Sequence, residues 1–132
     1  MRLVVDTNRL IAALIKNGAS RSILKNTEYN FFTPEFALEE IWKYKSLIQK
    51  KAGISEQEFS VFLFLLSYKV KFISSEEYTK QMPLAVSIMG HIDKKDVPFI
   101  AVALALNASI WSDDEHFVKQ DKVKIFKTED LL

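Results

Sequence analysis

Leu3-Val4-Val5-Asp6-Thr7-Asn8-Arg9-Leu10-Ile11-Ala12-Ala13-Leu14 changes its hydrophobic period part-way along. Leu3-Val4-Val5 is an unbroken apolar run with no polar face, the pattern of a strand covered on both sides. From Asn8 to Lys16 the apolar residues Leu10, Ala13 and Leu14 recur at helical spacing. An acid, Asp6, stands at the junction.

The alternation continues to the end of the chain. Gly18 stops the first helix, and Ser20 caps a short one through Lys25. Tyr29–Thr33 reads as a second strand. Pro34 opens a long helix to about Lys51, with proline in the tolerated first turn. Ser55 caps a helix over Glu56–Tyr68, and Val70–Ile73 is a third strand. Helical segments over Glu76–Met89, broken near Pro83, lead to a strongly apolar helix, Asp96–Leu106. Ala108–Trp111 and Val123–Phe126 are the fourth and fifth strands, with a helical turn at Glu115–Lys119 between them. Strands separated by helices of this length need right-handed crossovers. The predicted fold is therefore α/β: one domain, residues 1–132, with a central, mainly parallel five-stranded sheet flanked by helices on both faces.

Composition fits that fold and removes several chemistries. The chain has 132 residues, 48% of them hydrophobic, enough to hide roughly two-thirds of the extended chain's surface. It has no cysteine, so disulfides, thiolate metal sites, iron–sulfur clusters and cysteine nucleophiles are excluded. Two histidines fall short of a structural zinc site. Neither GxxxxGK[ST] nor GxGxxG occurs, so nucleotide cradling is unsupported. Asp6-Thr7-Asn8 lacks the second acid at +2 that an aspartyl-phosphate phosphatase needs. The start, Met1 to Asp6, meets an acid too early for a signal peptide, and Val97–Leu106 is too short to span a membrane. A soluble, cytoplasmic protein with no membrane partner is expected. Net charge is +1, but residues 1–54 are net basic and residues 55–132 net acidic. Such asymmetry suits a polyanion held beside a cation-binding cluster, or is chance.

In a parallel sheet, sites form beyond the carboxyl ends of the strands. Asp6 follows the first strand; Asp113 and Asp114 follow the fourth. Each also has a capping reading. Asp6 can cap the helix that follows it, and Ser112 with Glu115 has capping-box spacing. On the helix after Pro34, Glu40 shares a stripe with Phe36, Ala37, Tyr44 and Leu47, whereas Glu39 groups with Glu35, Lys43 and Ser46. Glu40 should face inward and Glu39 face water. An inward carboxylate is costly unless paired or ligating. Asp96 opens the apolar helix, with Asp93 as an alternative cap. His116 reads as a surface residue.

Four segments in order resemble the PIN domain family, the metal-dependent nucleases that include VapC-type toxins. They are Val4-Val5-Asp6-Thr7-Asn8, Thr33-Pro34-Glu35-Phe36-Ala37-Leu38-Glu39-Glu40-Ile41, Asp96-Val97-Pro98-Phe99-Ile100-Ala101-Val102-Ala103-Leu104, and Ile110-Trp111-Ser112-Asp113-Asp114-Glu115-His116-Phe117. The resemblance implies an acidic, metal-holding catalytic site of Asp6, Glu40, Asp96 and Asp114, supported by Asn8, Ser112 and Thr7. Asp113 and Asp93 are the alternative acids. It implies Mg²⁺ or Mn²⁺, one ion or two, and hydrolysis of RNA by an activated water. Arg9, Arg21, Lys25, Lys43 and Lys45 are the phosphate contacts to expect. An antitoxin protein and a homodimer are the protein partners it implies. The reading from another class is a non-catalytic PIN-like module that binds RNA or protein in an assembly. Val61-Phe62-Leu63-Phe64-Leu65-Leu66 is apolar all round, so its helix is either enclosed in the core or buried against a partner.

Overall fold

The computed structural model describes residues 1–132. Five strands, β1 (Arg2–Val5), β2 (Asn30–Pro34), β3 (Val70–Ile73), β4 (Ser109–Trp111) and β5 (Ile125–Phe126), form one sheet in the order β3-β2-β1-β4-β5. Every neighbouring pair is parallel. β1 is central, with Val4 opposite both Phe32 and Ile110. The chain builds outward from β1 to β3, then crosses back to β4 and β5. The direction of winding therefore reverses between β1 and β4, which is where a sheet of this type leaves a crevice.

The helices are α1 (Thr7–Ile15), α2 (Ala19–Leu24), α3 (Phe36–Lys43), α4 (Lys45–Ala52), α5 (Glu56–Lys69), α6 (Ser75–Tyr78), α7 (Met82–Met89), α8 (Val97–Leu106) and α9 (Thr128–Leu131). α8 lies on β1, β2 and β4 and carries α6 and α7 with it, while α1 gathers α2, α3, α4 and α5. Leu3, Val4, Val5, Ile110 and Trp111 are fully buried between the layers, as unbroken apolar strands require. α8 is buried almost all round and ends at Asn107, whose φ of 52° is one that Asn tolerates. No helix is long and apolar enough to cross a membrane.

Four local expectations need correction. Gly18, not Ser20, stands at the N-cap of α2, and Ser20 is buried inside that helix. Pro34 is the last residue of β2, facing Ile73 of the neighbouring strand, and the helix starts after it at Phe36. Proline fits there because the last bond to β3 is donated by the residue after it, the Glu35 N–H to the Ile73 carbonyl at 2.8 Å. The long helix is two, separated at Tyr44 (φ −99°, ψ 13°). The bend lets both Ile41 and Ile48 reach the core, and neither Pro nor Gly marks it in the sequence. The fifth strand is only Ile125–Phe126 and is followed by α9, which the sequence pattern does not announce. Ser55 does cap α5, in a reciprocal capping box with Glu58.

Candidate metal centre at the carboxyl edge of the sheet

Asp6 leaves β1 directly, its backbone N–H still bonded to the Trp111 carbonyl of β4 at 3.0 Å. Ser112 leaves β4 in the same way, its N–H on the Phe126 carbonyl at 3.0 Å. The two side chains meet in the crevice: Ser112 Oγ donates to Asp6 Oδ2 at 2.7 Å. Asp6 is buried and stands at the N-cap position of α1, but the close bond its side chain makes is the one to Ser112, not a cap to the helix. Nor does a helix start at Ser112. Its Oγ instead accepts the Asp114 N–H at 3.0 Å, and Asp114 Oδ1 accepts the His116 N–H at 2.8 Å. That tight turn folds the Asp114 carboxylate back toward the crevice.

Glu40 arrives from α3. Glu39 is exposed and Glu40 half-buried, as their helical faces require, and Thr7 Oγ1 donates to Glu40 Oε1 at 2.6 Å. The inward stripe ends with α3, since Tyr44 and Leu47 are exposed. Thr7 is buried and binds an acid. Asn8 is exposed and makes no side-chain hydrogen bond.

Asp96 stands at the start of α8. The capping there is done by Asp93, whose Oδ1 accepts the Lys95 N–H at 2.9 Å. Asp96 makes no cap, is only 8% exposed, and its Oδ2 has no hydrogen-bond partner. Burial pushes its carboxyl up to about 7, reinforced by the charges of Asp93, Asp6 and Asp114. Burial also raises the Asp6 carboxyl, against the lowering effects of the Ser112 hydroxyl and the Asn8 backbone N–H and with the help of Asp114 and Glu40. Asp6, Asp96 and Asp114 thus lie within electrostatic reach of one another, and Glu40 within reach of Asp6. Such a group cannot ionise fully without a counter-charge. Hard oxygen donors with one buried oxygen left unpartnered are the donor set of Mg²⁺ or Mn²⁺.

The other singled-out residues divide clearly. Asp113 faces away from this group: it accepts from the Thr128 N–H at 2.8 Å and the Thr128 hydroxyl at 2.7 Å, and pairs with Arg9 Nη1 at 2.9 Å. Burial opposes its ionisation, but the Thr128 bonds and Arg9 outweigh that and hold its carboxyl low. Arg21 donates from both Nε and Nη2 to the Ala13 carbonyl, closing the end of α1. Lys25 and Lys43 are exposed. Lys45 pairs with Glu56 and lies over the Trp42 ring. His116 is not a plain surface residue. Its Nδ1 is buried, 3.0 Å from Asp93 Oδ2, 3.7 Å from Asp96 Oδ2 and 3.6 Å from Asp114 Oδ1. Its position two residues after Asp114, in the turn that bends the acid inward, was the available sequence signal.

A family model described as PIN domain matches residues 4–131. No curated protein matches the chain. Among solved structures, a chain of VapBC2 from Rickettsia felis, crystallised bound to a DNA fragment from their promoter, superimposes with a TM-score of 0.68. Identity is 16%, over 96% of this chain and 98% of that one, so the likeness is one of fold.

Proposed function

The chain belongs to the PIN domain family, and on that premise we propose that it is a metal-dependent endoribonuclease, its nuclease domain spanning residues 1–132. The observation that carries the reading is the convergence at the crevice of Asp6, Asp96 and Asp114, whose charges act on one another, with Glu40 acting on Asp6 and the Oδ2 of buried Asp96 left without a hydrogen bond. These four carboxylates would hold Mg²⁺ or Mn²⁺, which supplies an acidified water and neutralises charge growing on the phosphodiester.

The chain's own residues do the rest. Ser112 and Thr7 are positioning residues: each fixes one acid by a donated bond. The Asp114 turn keeps its carboxylate beside them. Arg9 lies a turn along α1 from Asp6 and trades Asp113 for an RNA phosphate. Exposed Lys43 is a second phosphate contact in this reading, whereas Lys25 borders the start of β2 and Arg21 is held by the Ala13 carbonyl, both away from the acids.

The partner reading has its own support. Val61, Phe64, Leu65 and Tyr68 of α5 are all exposed, Phe64 by 60% and Tyr68 by 74%. We assign this face to a homodimer. Beside it, a groove of about 390 Å³ is lined by Leu14, Leu24, Phe62, Leu65 and Leu66; it suits an apolar helix of an antitoxin protein, and the VapBC2 likeness favours a toxin–antitoxin pair in the cytoplasm. The test of the function is a cleavage assay on structured RNA with Mn²⁺. Cutting that stops on chelation supports the nuclease. Binding of RNA without cutting supports the non-catalytic module.

A further inference from the structure

Asp93 and His116 lie outside the four acids of the sequence pattern, yet they form the tightest group of ligand-type atoms with Asp96, all within 4.8 Å. Each is already held in place. Asp93 spends Oδ1 on the Lys95 N–H and turns Oδ2 to the imidazole. His116 is tied through its backbone N–H to Asp114 Oδ1. Asp96 Oδ2 and His116 Nδ1 face each other at 3.7 Å, both buried and neither in a hydrogen bond of good geometry, the 3.0 Å approach of Asp93 Oδ2 to Nδ1 included. Buried polar atoms are nearly always satisfied. Two that share one gap point to something that binds both. Neighbouring donors on a six-coordinate ion at roughly 2.1 Å stand roughly 3 Å apart, close to the separations found here.

We propose that Asp93, Asp96 and His116 form a mixed nitrogen–oxygen cation position, with His116 Nδ1 as a ligand, that selects Mn²⁺ over Mg²⁺. The proposal rests on the reading of Asp96 as part of a cation-binding centre and adds to it the identity of the ion. Mg²⁺ gains little from an imidazole, whereas first-row transition ions accept it readily. The position therefore discriminates between ions that an all-carboxylate site would hold alike.

The test is electron spin-echo envelope modulation on the full chain loaded with Mn²⁺ alone. The expected spectrum shows a directly bound ¹⁴N that persists in His91→Gln, in which His116 is the only remaining histidine, and is lost in His116→Gln. In calorimetric titrations His116→Gln should weaken Mn²⁺ binding by about tenfold or more and leave Mg²⁺ binding nearly unchanged. If His116→Gln does not fold, the His91→Gln spectrum decides. Mn²⁺ bound without nitrogen coupling, or coupling lost in His91→Gln, overturns the proposal and leaves the carboxylate centre standing. Failure to bind Mn²⁺ at all overturns both.

Discussion

Ser112 Oγ donates to Asp6 Oδ2 at 2.7 Å across 106 residues of sequence, and in doing so ties the ends of the two central strands together at the crevice. The bond is buried, so its loss is expensive. Ser112→Ala leaves a buried carboxylate oxygen with no donor, which costs about 1–3 kcal/mol. Urea denaturation of the metal-free protein should show that loss, and Mg²⁺ affinity should fall with it. A stability within about 0.3 kcal/mol of wild type would mean that the bond holds nothing in place.

Glu40 and Glu39 are adjacent in sequence but differ in exposure. Saturating Mg²⁺ or Mn²⁺ at a hundred times Kd should stabilise the fold by about 2.7 kcal/mol, roughly 10 °C in Tm. Glu40→Gln should shrink that shift and Glu39→Gln should leave it alone. Equal effects in a thermal melt would undo the assignment of Glu40 to the centre.

Asp96 and Asp6 both hold their protons more tightly folded than unfolded. A raised carboxyl contributes stability that is present below its unfolded value, near 3.8, and lost as pH climbs through its folded value, about 7 for Asp96. The metal-free protein should therefore lose stability between pH 5 and pH 7.5 more steeply than Asp96→Asn does. Saturating Mn²⁺ should reverse the trend, because the ion binds the ionised acids. Identical slopes for wild type and Asp96→Asn in denaturant titrations would count against the buried-acid account.

The apolar face of α5 gives a separate expectation. Phe59, Leu63 and Leu66 pack inward, while Phe64 is exposed. Phe64→Glu should therefore leave stability within about 0.5 kcal/mol of wild type and convert a dimer to a monomer in light scattering. A wild-type protein that stays monomeric at high concentration removes the dimer.

The alternation of apolar strands and helices was enough to read the parallel sheet and its order of elements, because strands such as Leu3-Val4-Val5 have no polar face. Helical spacing alone separated Glu40 from Glu39. Other features depend on tertiary contacts that spacing does not carry. The break at Tyr44 exists so that Ile41 and Ile48 can both be buried. In sequence, only the family resemblance ranks Asp114 above its neighbour Asp113. In the structure the two part because Thr128 and Arg9, remote in sequence, claim Asp113. His116 faces Asp93 and Asp96, which come from a segment remote in sequence, so spacing alone does not reveal the group.

In the proposed nuclease, Asp6 and Asp114, not Asp113, hold the ion that cuts RNA. That assignment is tested most directly by Mn²⁺-dependent cleavage with Asp6→Asn, Asp114→Asn and Asp113→Asn, each first shown to be folded by circular dichroism. Asparagine at position 6 can still accept the Ser112 hydroxyl but lacks the charge a cation needs, so Asp6→Asn and Asp114→Asn should be folded and inactive. Asp113→Asn should keep cutting with Arg9 released from its pair. Cleavage at the wild-type rate by folded Asp6→Asn or Asp114→Asn would contradict the account.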